Sequence, residues 1–410
     1  MLCLAVTASV LVLDREHLDA SVRSSAAGAG AGVEAAGPAG VSTLLARLAA
    51  ALEHGTTAQV AELGAPGGAG ARRQLVTMRA NVRSLHISDL TLRYVSGRPV
   101  HRAGERRAAG PVTWVATVRL GWRLRGVDAH PALREVPVTV RTSASGARFV
   151  TARGRDGKGV PLWLLTRVRV DRTARAVVVA AASVPQTRVA RIAALADRAV
   201  VELRRVLPRW HGRLAVEVPG GAPQLEAVLG SAPGAYDRIA AATTTADGSL
   251  SADRPVRIFV NSGVFGRLGP RGSQIVMTHE ATHVATGAAV SSMPPWLLEG
   301  FADYVALAAE HVPVRVSASQ AIARVRRAGV PAHLPDRADF DPGSSAIGAS
   351  YEAAWLACRQ LARTYGQRRL VAFYRTVDRT SSTGRAFRAL GTDRQAFTRA
   401  WQRELRRLAR

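Results

Sequence analysis

The stretch Ser273–His283 carries two imidazoles and a carboxylate in the order His279-Glu280-Ala281-Thr282-His283. On an α-helix, positions four apart differ by only about 40° of rotation. His279 and His283 therefore project from one face and can share a metal ion. Glu280, one residue on, points beside that site, where a base acting on water belongs. Ser273 is the expected N-cap of this helix and Gly287 its expected stop. Five residues are a short pattern that coincidence can produce, so the surroundings decide its weight.

Those surroundings supply a second cluster, Pro294-Pro295-Trp296-Leu297-Leu298-Glu299-Gly300-Phe301-Ala302-Asp303-Tyr304. Proline at a helix start followed by Trp296, Leu297 and Leu298 predicts a buried helix. Glu299 and Asp303 are again four apart and share a face. A carboxylate reaching in from a second helix makes Glu299 the third ligand of a His2Glu zinc site with its fourth position open. Asp303 is suited to accept the free N–H of a ligand histidine. The competing picture, a solvated acidic face, fits badly beside Trp296, Leu297, Leu298, Phe301 and Tyr304.

Together the two motifs resemble the gluzincin metallopeptidases, the thermolysin-like peptidase MA group, and most of all their bacterial envelope branch. The resemblance runs over roughly 210–375 and is specific at the two motifs. It implies zinc held by His279, His283 and Glu299, Glu280 as general base, and a peptide or protein substrate. Related enzymes use a downstream tyrosine or histidine to stabilise the oxyanion. Tyr351, which follows a Pro/Gly/Asp-rich loop (331–350), is the candidate, with His311 and His333 behind it; it reads equally well as a packed helix-start aromatic. Val256–Val260 resembles the edge strand on which such enzymes lay an extended peptide, or else is a core strand. Nothing resembles an exopeptidase or aminopeptidase motif, which points to an endopeptidase. The competing class is a catalytically silent cell-envelope binding or scaffold protein with a structural zinc site. Glu280 argues against it, because a purely structural site has no use for a carboxylate beside an open metal position.

The elements that must position these residues predict an α+β fold class. Residues 42–185 open with a helical pattern (Leu44, Leu45, Leu48, Leu52) and a weaker one near Ala58–Leu63. Strand-like runs follow at Ile87–Tyr94, Val112–Leu124, Val136–Thr142, Leu162–Val170 and Ala176–Ala181. Helices followed by a curved antiparallel sheet resemble the NTF2-like fold. His86, His101 and His130 sit here without spaced partners and read as surface or satisfied histidines. An amphipathic helix over Thr187–Leu207 then opens a second domain, 186–410, and Pro208 closes that helix. Strands are expected at Leu214–Val218 and Val256–Val260, a short helix near Gln224–Leu229, and mostly helix after Gly272.

Residues 1–13 form an apolar run too short to span a bilayer. It reads either as a buried strand or as the remnant of a truncated signal or membrane anchor. Residues 14–41, Gly/Ala/Ser-rich from Ser24, read as a flexible tether and favour the anchor, hence a membrane-anchored, extracytoplasmic location. Cys3 and Cys358, the only two cysteines, exclude a disulfide framework and a cysteine-based zinc site. The 410 residues are 47% hydrophobic and 21% charged, which excludes a largely disordered chain. The net charge of +26 invites a nucleic-acid reading, but Lys158 is the only lysine. Such a bias towards arginine looks like GC-rich codon usage. The 14 arginines over 359–410 face only Asp378, Asp393 and Glu404, yet no nucleic-acid motif accompanies them. An anionic membrane or cell-wall polymer is the better partner for this charge, and no nucleic acid is expected.

Overall fold

The computed structural model describes residues 37–100, 111–154, 157–341 and 343–410. The expected anchor (1–13), the tether up to residue 36, Cys3 and His101 lie outside the described residues. The tether's expected end is shortened. Pro38 takes the first helical position, where its missing N–H costs nothing, and Val41 is already fully buried.

The first layer is helical: α1 (Pro38–His54), α2 (Thr57–Glu62) and α3 (Ala69–Leu85). Val41, Leu44, Leu45, Leu48 and Leu52 recur at helical spacing and form the buried stripe of α1. These helices cover an antiparallel sheet of β1 (Ile87–Val100), β2 (Val112–Leu124), β3 (Ala132–Ser143) and β4 (Gly146–Ala152), ordered as in sequence. Ala116, Val118, Leu120, Trp122 and Leu124 alternate along β2 and are all buried, as a sheet with one covered face requires.

A turn of helix, α4 (Leu162–Leu165), leads into a second sheet of β5 (Val168–Arg172), β6 (Ala176–Ala181), β7 (Leu214–Val218), β8 (Ala241–Thr245) and β9 (Val256–Val260). Its order is β5-β6-β7-β9-β8, with β6, β7 and β9 parallel and the two outer strands antiparallel to them. The boundary expected at 185 is therefore displaced. Leu162–Leu165 is helical, and Val168–Ala181 belongs to the second sheet. Ala176–Ala181 is apolar and buried throughout, as a strand with both faces covered requires, and it pairs in parallel with β7. Asn81 of α3 ties the junction, donating to the carbonyls of Trp163 and Thr166 and accepting from the Val168 N–H. The mixed helix and sheet content is the α+β class expected.

Helix α5 (Gln186–Arg204) crosses from β6 to β7; α6 (Ala222–Leu229) and α7 (Ser262–Phe265) flank β8 and β9. Then come α8 (Pro270–Thr286), α9 (Pro295–Leu307), α10 (Val314–Ser317), α11 (Ser319–Ala328), α12 (Ile347–Tyr365), α13 (Gln367–Thr380), α14 (Thr383–Arg388) and α15 (Arg394–Ala409). Their core is aromatic: Trp296, Phe301, Phe373, Phe387, Phe397 and Trp401 are all buried. Gly300 lets α9 and α12 meet, since a Cβ there would run into the Ala354 carbonyl. Among the described residues no helix is long and apolar enough to cross a membrane.

Candidate metal centre

Helix α8 carries the first motif through the middle of the molecule. Every residue from Ser273 to His283 is buried, because α5, β8, β9 and α9 all pack against it. The helix starts earlier than expected, with Gly269 as N-cap and Pro270 at the first helical position, so Ser273 is an interior residue whose hydroxyl donates to the Leu268 carbonyl. It stops where expected, at Gly287, which takes the left-handed conformation (φ 67°). Its polar side away from the motif is anchored by Glu202 of α5, which accepts from Thr278 (2.7 Å) and Gln274 (3.2 Å).

The expected side chains converge. His279 Nε2 and His283 Nε2 face each other at 2.9 Å, and Glu299 Oε2 lies 3.2 Å from the first and 3.4 Å from the second. For a cation with tetrahedral ligands at about 2.0–2.1 Å, neighbouring ligand atoms stand about 3.3 Å apart. The triangle of Nε2, Nε2 and Oε2 matches that spacing to within a few tenths of an ångström. Asp303 Oδ1 lies 2.8 Å from His279 Nδ1, so Nδ1 carries the proton and Nε2 turns its lone pair inward. Two lone-pair donors and a carboxylate oxygen pointing at one spot are a donor set that a metal ion completes. His283 Nδ1 is buried and has no partner among the described residues.

The electrostatics agree. Burial alone would raise the Glu299 carboxyl, but the His283 and His279 rings outweigh it and bring its pKa down to about 2. Burial would likewise lower His279, yet the Asp303 and Glu299 carboxylates hold it well above its ordinary value. Asp303 itself is raised by burial, which its histidine opposes without cancelling. Buried negative charge of this kind favours a positive charge at the imidazoles or between them.

Glu280 is fully buried, and burial raises its pKa against the pull of His279 and His283. Tyr351, at the start of α12, is brought to the same place: its ring centroid is 6.2 Å from that of His279 and 5.0 Å from that of Phe340. Burial, and then the carboxylates of Glu299, Asp303 and Glu280, push its phenol well above the ordinary range, so it stays a proton donor. The turn at Ala338–Phe340 packs on α12 over this tyrosine. The other two candidates fall elsewhere. His311 is exposed, and His333 joins Asp336 and Asp339 in a separate, largely exposed group. His86 ends α3 in a left-handed conformation and His130 is exposed, neither taking part in the centre.

Two features escaped the sequence. The outer strands of the second sheet are β5 and β8, and Val256–Val260 (β9) is interior between β7 and β8, so the core-strand alternative holds for it. Thr243 of β8 donates to Glu280 Oε2 at 2.6 Å. Ala241–Thr245, Ala-Ala-Thr-Thr-Thr, has no apolar alternation to announce a strand, and its pairing with β9 is what makes it one. No protein-family model matches the chain, and no curated protein matches it.

Proposed function

We propose that the chain is a zinc-dependent peptidase, acting as an endopeptidase. The observation that carries this reading is the convergence of His279, His283 and Glu299 on one point with Glu280 beside it. His279, His283 and Glu299 would hold the zinc. Bound there, it supplies Lewis acidity, lowering the pKa of water towards neutrality and polarising a scissile carbonyl. Glu280 takes a proton from water and passes it to the leaving amine, a role suited to a carboxyl whose pKa burial has raised. Tyr351 donates its phenolic proton as a hydrogen bond to the oxyanion. Asp303 fixes the His279 tautomer.

The outer position of β8 in its sheet favours a peptide substrate. The bonds Asn261 N–H to Ala240 O and Ala246 N–H to Pro255 O set the alternation, so Ala241 and Thr243 turn their N–H and C=O groups away from β9. Both residues are buried, so an extended peptide would pair with those groups as an added strand only once the elements covering them move aside. A location at the outer face of the membrane, held by the N-terminal segment, is part of the same proposal and rests on the sequence alone.

One observation favours the silent scaffold: His279 and Glu280 are 0% exposed and Phe340 roofs Tyr351, so a peptide enters only if this roof moves. Metal content of the purified chain before and after His283→Ala, paired with peptide-library cleavage, separates the two. The peptidase reading expects about one zinc per chain, lost in the variant, and cleavage that a chelator stops. A chain that keeps one zinc and cleaves nothing is the scaffold. A Glu280→Gln chain that holds its metal and cleaves as fast as the parent would remove the base assigned here.

A further inference from the structure

The two oxygens of Glu280 are not equivalent. Thr243 Oγ1 stands 2.6 Å from Oε2 and 3.3 Å from the Glu280 carbonyl oxygen, and both residues are buried. A hydroxyl has one proton to give, and the short contact with the carboxylate is where it goes. Glu280 Oε1, by contrast, is buried and without a hydrogen-bond partner among the described residues.

We infer that Thr243 is a positioning residue for Glu280: by occupying Oε2 it fixes the plane of the carboxylate and leaves Oε1 as the oxygen that receives the proton from water. The inference rests on the peptidase reading above. The terminal torsion of a glutamate is soft and roughly two-fold, so an unheld carboxylate samples many orientations. A single strong donor on one oxygen removes that freedom. Thr243 also lies on the edge strand β8, so the strand that would receive the peptide backbone is the one that holds the base. Strand and base are thereby kept in register, which is what a proton transfer needs from its surroundings.

Thr243→Val removes the hydroxyl and keeps the β-branched shape; Thr243→Ser keeps the hydroxyl. The probe is an internally quenched peptide selected from a random library by cleavage with the parent chain. Thr243→Val is expected to lower kcat by about ten- to a hundredfold with KM within about twofold of the parent, whereas Thr243→Ser recovers most of kcat. Zinc per chain stays the same in all three. In the chelator-stripped chain Thr243→Val lowers the melting temperature, because neither oxygen of Glu280 then has a partner, and Thr243→Ser does not. Parental kcat in Thr243→Val, or a serine variant as impaired as the valine one, overturns the inference while leaving the peptidase reading standing. A parent that cleaves no library peptide overturns that reading and the positioning role with it.

Discussion

Asp303 Oδ1 stands 2.8 Å from Nδ1 of His279, so a carboxylate on one helix decides which nitrogen of an imidazole on another faces the candidate metal centre. Remove the acceptor and Nδ1 can compete with Nε2 for the proton. Asp303→Asn keeps the size but can present an amide N–H to the ring. Metal affinity is expected to fall by about ten- to a hundredfold, read by competition with a chromogenic chelator. Unchanged affinity would mean that packing alone orients His279.

Gly300 lies between the two acidic residues of α9 and packs against the backbone of α12. A methyl group there meets the Ala354 backbone, which has no flexible end to swing away. Gly300→Ala gains helix propensity but forces the two helices apart, and overpacking of this kind costs about 1–3 kcal/mol. The same shift moves Glu299 and Asp303 away from α8 and Tyr351 away from His279. A lower urea midpoint together with weaker zinc binding is the expected pair of results. A more stable variant, as helix propensity alone predicts, would show that the contact is softer than its geometry.

The site was legible because its residues lie on two helices whose periodicity fixes what shares a face. His279 with His283, and Glu299 with Asp303, follow from 3.6 residues per turn, and the aromatic residues around Glu299 gave away its burial. Tyr351 was placed by the loop before it and came out beside His279. Thr243 was invisible, since its contact with Glu280 spans 37 positions and its strand is made of small residues that carry no alternating pattern. The domain boundary failed for a related reason. Ala176–Ala181 reads as a strand, but only pairing says to which sheet a strand belongs, and β7 captured it across α5. Ser273 has the residue type of a cap, but Gly269 and Pro270 start the helix about a turn earlier.

The two sheets are joined by a buried ion pair. Arg257, on β9, donates to both oxygens of Asp128 in the β2–β3 connection, at 2.7 and 2.6 Å, with side chains 1% and 2% exposed. Breaking such a pair from one side strands a charge and costs about 3–5 kcal/mol, whereas replacing both partners by apolar residues is often neutral. Arg257 also stands 3.8 Å from Glu217 of β7. Asp128→Ala should therefore be far less stable to urea than the parent, and Asp128→Leu combined with Arg257→Met and Glu217→Gln, which leaves no charge stranded, should recover much of the loss. A triple variant as unstable as the single one would show that shape, not charge, holds the sheets together.

Glu352 makes stability depend on pH in a direction opposite to that of most paired carboxylates. It lies on α12 next to Tyr351, accepts from the Ala321 N–H at 2.8 Å and from Gln320 Nε2 at 3.1 Å, and so pins α11 to α12. Burial outweighs these two donors and raises its pKa from 4.5 to about 7. Because the folded chain holds this proton more tightly than the unfolded one, the folded state binds more protons between those values. The contribution of Glu352 is therefore full below pH 4.5, falls as pH rises towards 7, and is lost above it. The interval corresponds to roughly 3 kcal/mol at most. Glu352→Gln, neutral throughout, should lack this decline. Urea midpoints of parent and variant should then be close at pH 5, and the parent should be the less stable of the two at pH 8. If the difference between them does not change with pH, Glu352 is ionised in the folded chain at both values, and its two donors rather than its burial set its charge.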